Sequence, residues 1–219
     1  MMRFVVYLVI AGVFAAATAS LPARGRTALK QDTCFSDSAP ADQRIAACST
    51  AIRSSRQSSL KASALLNRAG AYGQKGEYGR AADDSSEAIR QAPSAMAYYT
   101  RALAHHDLGE DGQAIRDCNE ALAIDPNSEN AFFIRGAARQ QLADFSNAIK
   151  DYSDALRLDP SRADAVFARG TANFSSGEYQ AAVADFSKAI DLGYANAIVF
   201  YLRELAESEL GHRSDSRSE

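Results

Sequence analysis

The chain has 219 residues, long enough to bury a sizeable core. Charged residues make up 23% and apolar residues 47%, an ordinary globular balance, and Trp is absent. A formal net charge of −3 supplies no broad basic field, which excludes nucleic acid as the expected partner.

Residues 1–19 have the pattern of a secretory signal. Arg3 gives a positive start, Phe4 to Ala17 is uncharged and mostly apolar, and Ala17-Thr18-Ala19 fits the small-x-small cleavage pattern. The alternative is an uncleaved anchor, but the run is about 14 residues against the roughly 20 that span a bilayer. No later stretch is apolar enough to span. The mature chain is therefore expected to be soluble and exported, periplasmic or secreted.

Residues 20–31, with Pro22, Gly25, Arg24, Arg26 and Lys30, are predicted to be a mobile linker. Residues 32–60 are predicted to be a helical half-unit. The segment from Arg44 to Ile52 aligns with the second helices of later units, Cys48 matching Cys118 and Ala51 matching Ala121. Cys34 then falls on the facing helix, and an oxidising compartment permits a Cys34–Cys48 bridge. The alternative keeps all three cysteines reduced in the core. Cys118 is expected to be a buried free thiol. Residues 53–60 hold four serines and are predicted to be a turn or loop.

Four copies of one pattern follow at 62–94, 95–128, 129–162 and 163–196. Their anchors are Ala81 and Ala88, Ala114 and Ala121, Ala148 and Ala155, and Ala182 and Ala189. Pro93, Pro126 and Pro160 close the first three, and Gly193 takes that place in the fourth. Each copy holds two apolar-periodic stretches of helical length, so the fold class is all-α, an α-solenoid of stacked helix–turn–helix units. Gly76-Glu77, Gly109-Glu110 and Gly177-Glu178 mark the inner turns, glycine permitting a left-handed backbone and the acid complementing the next helix dipole. Ala143-Asp144 breaks that rule and predicts a less favourable turn. A polar capping helix is expected over 197–210, with a frayed tail over 211–219.

A second regularity supports the register. Arg68, Arg101, Arg135 and Arg169 precede Asp84, Asp117, Asp151 and Asp185 by the same interval. In an antiparallel hairpin these positions face each other, which predicts one ion pair per unit. The alternative is an arginine row that binds an anionic ligand.

The pattern resembles the tetratricopeptide repeat over about 62–196. The third copy carries it as Phe132, Gly136, Phe145, Ala148, Tyr152, Ala155 and Pro160; the fourth as Gly170, Gly177, Tyr179, Ala182, Phe186 and Ala189. The first two copies depart from it, with Ser85 and Cys118 in the aromatic slot and His105 where tyrosine is usual.

The resemblance implies a concave groove, lined by the first helices, that holds peptides or partner helices. Its apolar positions would be Leu66, Met96, Tyr99, Leu103, Phe133, Ile134, Phe167, Phe174 and, on the capping helix, Tyr201. Asn67, Thr100, Asn130, Gln140 and Gln141 would supply polar contacts. The expected partner is a protein or peptide segment with apolar anchors; the alternative is that the aromatics pack on neighbouring helices. The lysine and asparagine clamp by which some relatives hold chaperone tails has no match here. Leu66, Gly70, Thr100, Asn130 and Ile134 occupy one window, and Tyr99, Leu103, Ile134, Asp164 and Ala168 the next.

No catalytic pattern stands out. His105, His106 and His212 have no second ligand at zinc spacing, and there is no phosphate-cradling glycine loop or nucleophile motif. No metal, cofactor or catalytic residue is predicted. The Asn173-Phe174-Ser175 sequon lies inside a predicted helix. The chain is thus expected to be a non-catalytic envelope scaffold or adaptor; the alternatives are an accessory subunit of an envelope enzyme complex and a small-molecule or glycan binder.

Overall fold

The computed structural model describes residues 33–36 and 38–216, the side chains of 212–216 excepted. The expected signal and linker lie outside the described residues. Among those described there are ten α-helices. Helix α1 spans Ala41–Ser54, and the paired helices are α2 Ser58–Gln74 and α3 Tyr78–Gln91, α4 Ala95–Asp107 and α5 Asp111–Ile124, α6 Glu129–Gln141 and α7 Phe145–Leu158, α8 Ala163–Ser175 and α9 Tyr179–Asp191, with α10 at Ala197–Ser216. The loop expected over 53–60 shrinks to Ser55–Gln57, because the two later serines start α2. The backbone is helical to Ser216, where a frayed tail was expected.

Each inner turn closes by the same backbone geometry. Gly76, Gly109 and Gly177 have φ of 73°, 76° and 80°. The residue after each donates its amide five positions back, as Glu77 does to the Tyr72 carbonyl at 2.9 Å, which satisfies carbonyls left open at the helix end. Ala143 adopts the same conformation with φ 58° despite its Cβ. A left-handed alanine costs about 1 kcal/mol, so Ala143→Gly is expected to raise stability by about that amount in a denaturant titration. Ser94 and Ser128 cap α4 and α6 by accepting from the Ala97 and Ala131 amides.

Small residues let each pair of helices approach. In the third unit a Cβ on Gly136 would sit 2.9 Å from the Tyr152 ring; in the fourth a Cβ on Gly170 would sit 2.8 Å from the Phe186 ring. Tyr152 and Phe186 are fully buried. The first two units place Ala69 with Ser85, and Ala102 with Cys118, at the equivalent positions. A larger residue on the first helix accompanies a smaller one on the second, so the gap is filled either way.

The stack curves toward its first helices. Every helix packs on the next; the first helices α2, α4, α6 and α8 also touch their successors across units, and among the described residues α3, α5, α7 and α9 do not. Elements that crowd on one side and spread on the other make that side concave.

Helix α10 is a fifth first helix in the same register. It packs on both α9 and α8, buries Val199 and Ala206 completely, and sets Arg203 in line with Arg169. Among the described residues no aspartate pairs with Arg203, which meets Glu207 at 3.7 Å. Glu204 stands where the four units carry alanine or glycine and is exposed. A charged residue in that slot suits the polar outer face of a capping helix.

At the other end Cys34 and Cys48 form a disulfide, both fully buried, and pack with Ala47, Ala51 and Ala64. Closing a loop of about 15 residues stabilises by about 3 kcal/mol in the chain-entropy model. Cys118 is the free cysteine of the described residues and is buried; burial pushes its thiol up to about 12. A thiol titration is therefore expected to find none in the native chain, one per chain in denaturant, and three after reduction. The folded value lies above the unfolded one, so the buried neutral thiol stabilises fully below about pH 8.5 and less as pH climbs toward 12. Above pH 9 the wild type should lose about 1.4 kcal/mol more per pH unit than Cys118→Ala.

Candidate partner-binding groove

The side chains that hold the units in register are not free to bind. Arg68 donates through Nε and Nη2 to the two Asp84 oxygens, both at 2.7 Å. Arg101 and Arg169 grip Asp117 and Asp185 the same way, with shortest contacts of 2.6 Å. Arg135 grips Asp151 at 2.7 Å. The remaining Nη1 of each reaches back to the preceding unit: Ser49 at 2.8 Å, Ser86 at 3.2 Å, Asn119 at 2.7 Å and Ser153 at 3.2 Å. One guanidinium thus ties three helices, and the anion-binding alternative loses its donors. The hydrogen bonds that Arg68 donates to Asp84, and then the Asp84 charge, raise the Arg68 pKa against desolvation; Asp117 does the same for Arg101.

A second partner joins three of the four aspartates. Arg139 reaches Asp151 at 2.7 Å, Asn173 donates to Asp185 at 2.9 Å, and His105 Nε2 lies 3.6 Å from Asp117. The sequon asparagine is therefore buried in this network. His105 and His106 also meet Glu110 and Asp111, each at 2.6 Å, across the α4–α5 turn.

On the concave side the predicted residues divide. Met96 and Tyr201 are 59% and 63% exposed. Leu66, Tyr99, Leu103, Phe133, Phe167 and Phe174 are half-buried. Ile134 is not a groove residue: it is 6% exposed and joins the core with Ala102 and Cys118, because one residue beyond Phe133 on a helix turns the side chain toward α5. Phe133 packs on Tyr152 with centroids 5.7 Å apart, and the Arg162 guanidinium covers its ring at 4.2 Å. Arg162 is held there by Asn130 at 2.7 Å and Asp164 at 3.0 Å. Phe167 stacks on Tyr194 at 4.9 Å, and Phe174 meets Tyr179 at 5.3 Å. Thr100 donates to the Met96 carbonyl and Asn67 to the Ser63 carbonyl. Gln140 bridges Thr171 and the Tyr152 hydroxyl, at 3.0 Å and 2.9 Å, and Gln141 is exposed.

Two hollows open on this side. One, of about 340 Å³, lies beside Met96, Tyr99 and Asn130, with Ser94, Asp125 and Ser128 around it. The other, of about 320 Å³, lies between α2 and α4 and is lined by Ala69, Gly70, Gly73, Tyr78, Leu103 and Asp107 among others. The sequence expectations missed this second hollow. Its signal is Gly70 and Gly73 together on the inner face of α2, where the other first helices carry larger side chains.

The comparisons agree with this architecture. Family models described as tetratricopeptide repeat match residues 95–128 and 135–197. No curated protein matches the chain. A tetratricopeptide repeat protein from Parabacteroides merdae superposes with a TM-score of 0.68 at 18% identity, covering 88% of this chain and 76% of that one. YrrB, a TPR protein with an unusual peptide-binding site, gives 0.61 at 19% identity over 75% and 84%. The first TPR of Spaghetti (RPAP3), bound to the HSP90 peptide SRMEEVD, gives 0.52 at 30% identity, covering 53% of this chain and 94% of that one. Helix pairing, the repeated register and these matches place the chain in the tetratricopeptide repeat family.

Proposed function

We propose that this chain is a non-catalytic binding module that holds a peptide or partner helix along its concave face. The observation that carries this reading is the run of openings on that face: the two hollows between successive first helices, followed by the exposed Tyr201. Solvent-facing apolar groups beside pockets of side-chain size favour anchored segments. YrrB and the Spaghetti domain, which share the fold, are peptide-binding proteins by description. The open shape also weighs against a small-molecule or glycan site, since the Phe133 and Phe167 rings that would wall one are covered by Arg162 and Tyr194. The clamp positions hold no lysine or arginine and are mostly apolar or small, which weighs against a chaperone-tail ligand.

The setting we propose is the cell envelope, as a scaffold, adaptor or accessory subunit. The secretory pattern of residues 1–19 and the Cys34–Cys48 disulfide support it. Among the described residues no helix is long and apolar enough to cross a membrane. Quantitative capture from envelope extract, comparing wild type with a Met96→Glu and Tyr201→Glu double variant, tests the groove. Both positions are exposed, so thermal unfolding should stay unchanged while specific partners are lost. Retention of every partner by the double variant overturns the reading.

A further inference from the structure

The hollow between α2 and α4 has a chemistry of its own. Gly70 and Gly73 bring bare backbone to its floor, and a Cβ on Gly73 would meet nothing within 4 Å. Leu103 and Ala69 supply apolar wall, and Asp107 stands at the rim. Among the described residues the Asp107 carboxylate makes no hydrogen bond or ion pair, and the basic side chains nearby are turned elsewhere. His106 is turned to Asp111 at 2.6 Å, and Lys75 is bonded to Asp42 and lies 3.6 Å from Glu77. Buried Arg44 approaches Gly70 from the α1 side, 3.7 Å from where a Cβ would stand, and does not line the hollow.

We propose that this hollow takes a lysine or arginine side chain of the bound segment, its aliphatic stem lying over Gly70 and Gly73 and its charged head meeting Asp107. The inference rests on the groove function proposed above and names the partner's chemistry. A carboxylate beside an apolar wall complements a group that is a hydrocarbon stem for most of its length and a cation at its end. Desolvation already holds the Asp107 carboxyl above its ordinary value, so an acidic partner side chain would meet a further penalty and a purely apolar one would leave the carboxylate without a counter-charge.

A phage-displayed library of random peptides, panned on the full chain, tests this directly. Selected peptides should share a basic residue, and Asp107→Asn should weaken the best of them about tenfold by fluorescence titration. Gly73→Leu, which fills the hollow, should weaken it at least as much. Panning on Asp107→Lys should select acidic residues instead. Asp107 has no partner among the described residues to lose, and the helical Gly73 has open space, so unchanged circular dichroism is expected for all three variants. Binders that lack a basic residue, or that bind Asp107→Asn as tightly as wild type, overturn the basic anchor and leave the groove function standing. A library that yields no binder to the wild type removes the groove function and this inference together.

Discussion

Asp151→Ala will destabilise the chain by about 4 kcal/mol, since it strips the counter-charge from two arginines at once. Asp151 is 1% exposed, and Arg135 and Arg139 each donate to it at 2.7 Å. Removing the carboxylate leaves two guanidinium groups, their side chains 17% and 22% exposed, without the partner that offsets their desolvation. A loss of this size lowers the melting temperature by about 10 °C for a chain of this length. Because a stack is nearly one-dimensional, the damage should centre on α6 and α7 and their neighbours, with α2 and α3 less affected in hydrogen exchange. Arg139→Ala alone should cost much less, since Arg135 still holds the aspartate. Added to Asp151→Ala it should recover part of the loss, because one unpaired charge has gone. A melting temperature within a degree of wild type for Asp151→Ala would show that the ladder is decorative.

The difference between what could and could not be read from the sequence follows from where the partners lie. Arg135 and Asp151 belong to one unit, so their spacing repeats and the pairing is visible without coordinates. The third bond of each arginine crosses to the preceding unit and lands on Ser49, Ser86, Asn119 or Ser153. The residue type changes along that row, and the greater length of α2, 17 residues against 13 in α4, α6 and α8, shifts Ser49 out of the regular spacing, so no periodic signal survives. The groove was harder for another reason. Apolar residues on the inner face announce themselves, but the hollow between α2 and α4 is made by side chains that Gly70 and Gly73 lack. Phe133 was legible as an aromatic on the right face. That Arg162, from the turn before α8, would lie over it depends on how two units meet.

Phe186→Ala is the second large effect, at about 4 kcal/mol, from lost burial and the cavity left behind. Phe186 is fully buried and packs with Val166, Ala182 and Val199, so the cavity would open between the last full unit and the capping helix. The sharper test is the response of Gly170. In the wild type, Gly170→Ala puts a methyl group 2.8 Å from the Phe186 ring and 3.1 Å from the Asp185 Cβ, an overpacking that costs roughly 1–3 kcal/mol and outweighs the about 1 kcal/mol gained in helix propensity. With Phe186 reduced to alanine the ring is gone, and the same substitution should stabilise by about 1 kcal/mol. The first two units already make this exchange, carrying Ala69 with Ser85 and Ala102 with Cys118. A change of sign in the Gly170→Ala effect between the two backgrounds, measured by denaturant titration, would establish that slot size on the first helix is set by the residue facing it. An equal cost in both backgrounds would place the constraint on Gly170 elsewhere, in the backbone or against Asp185.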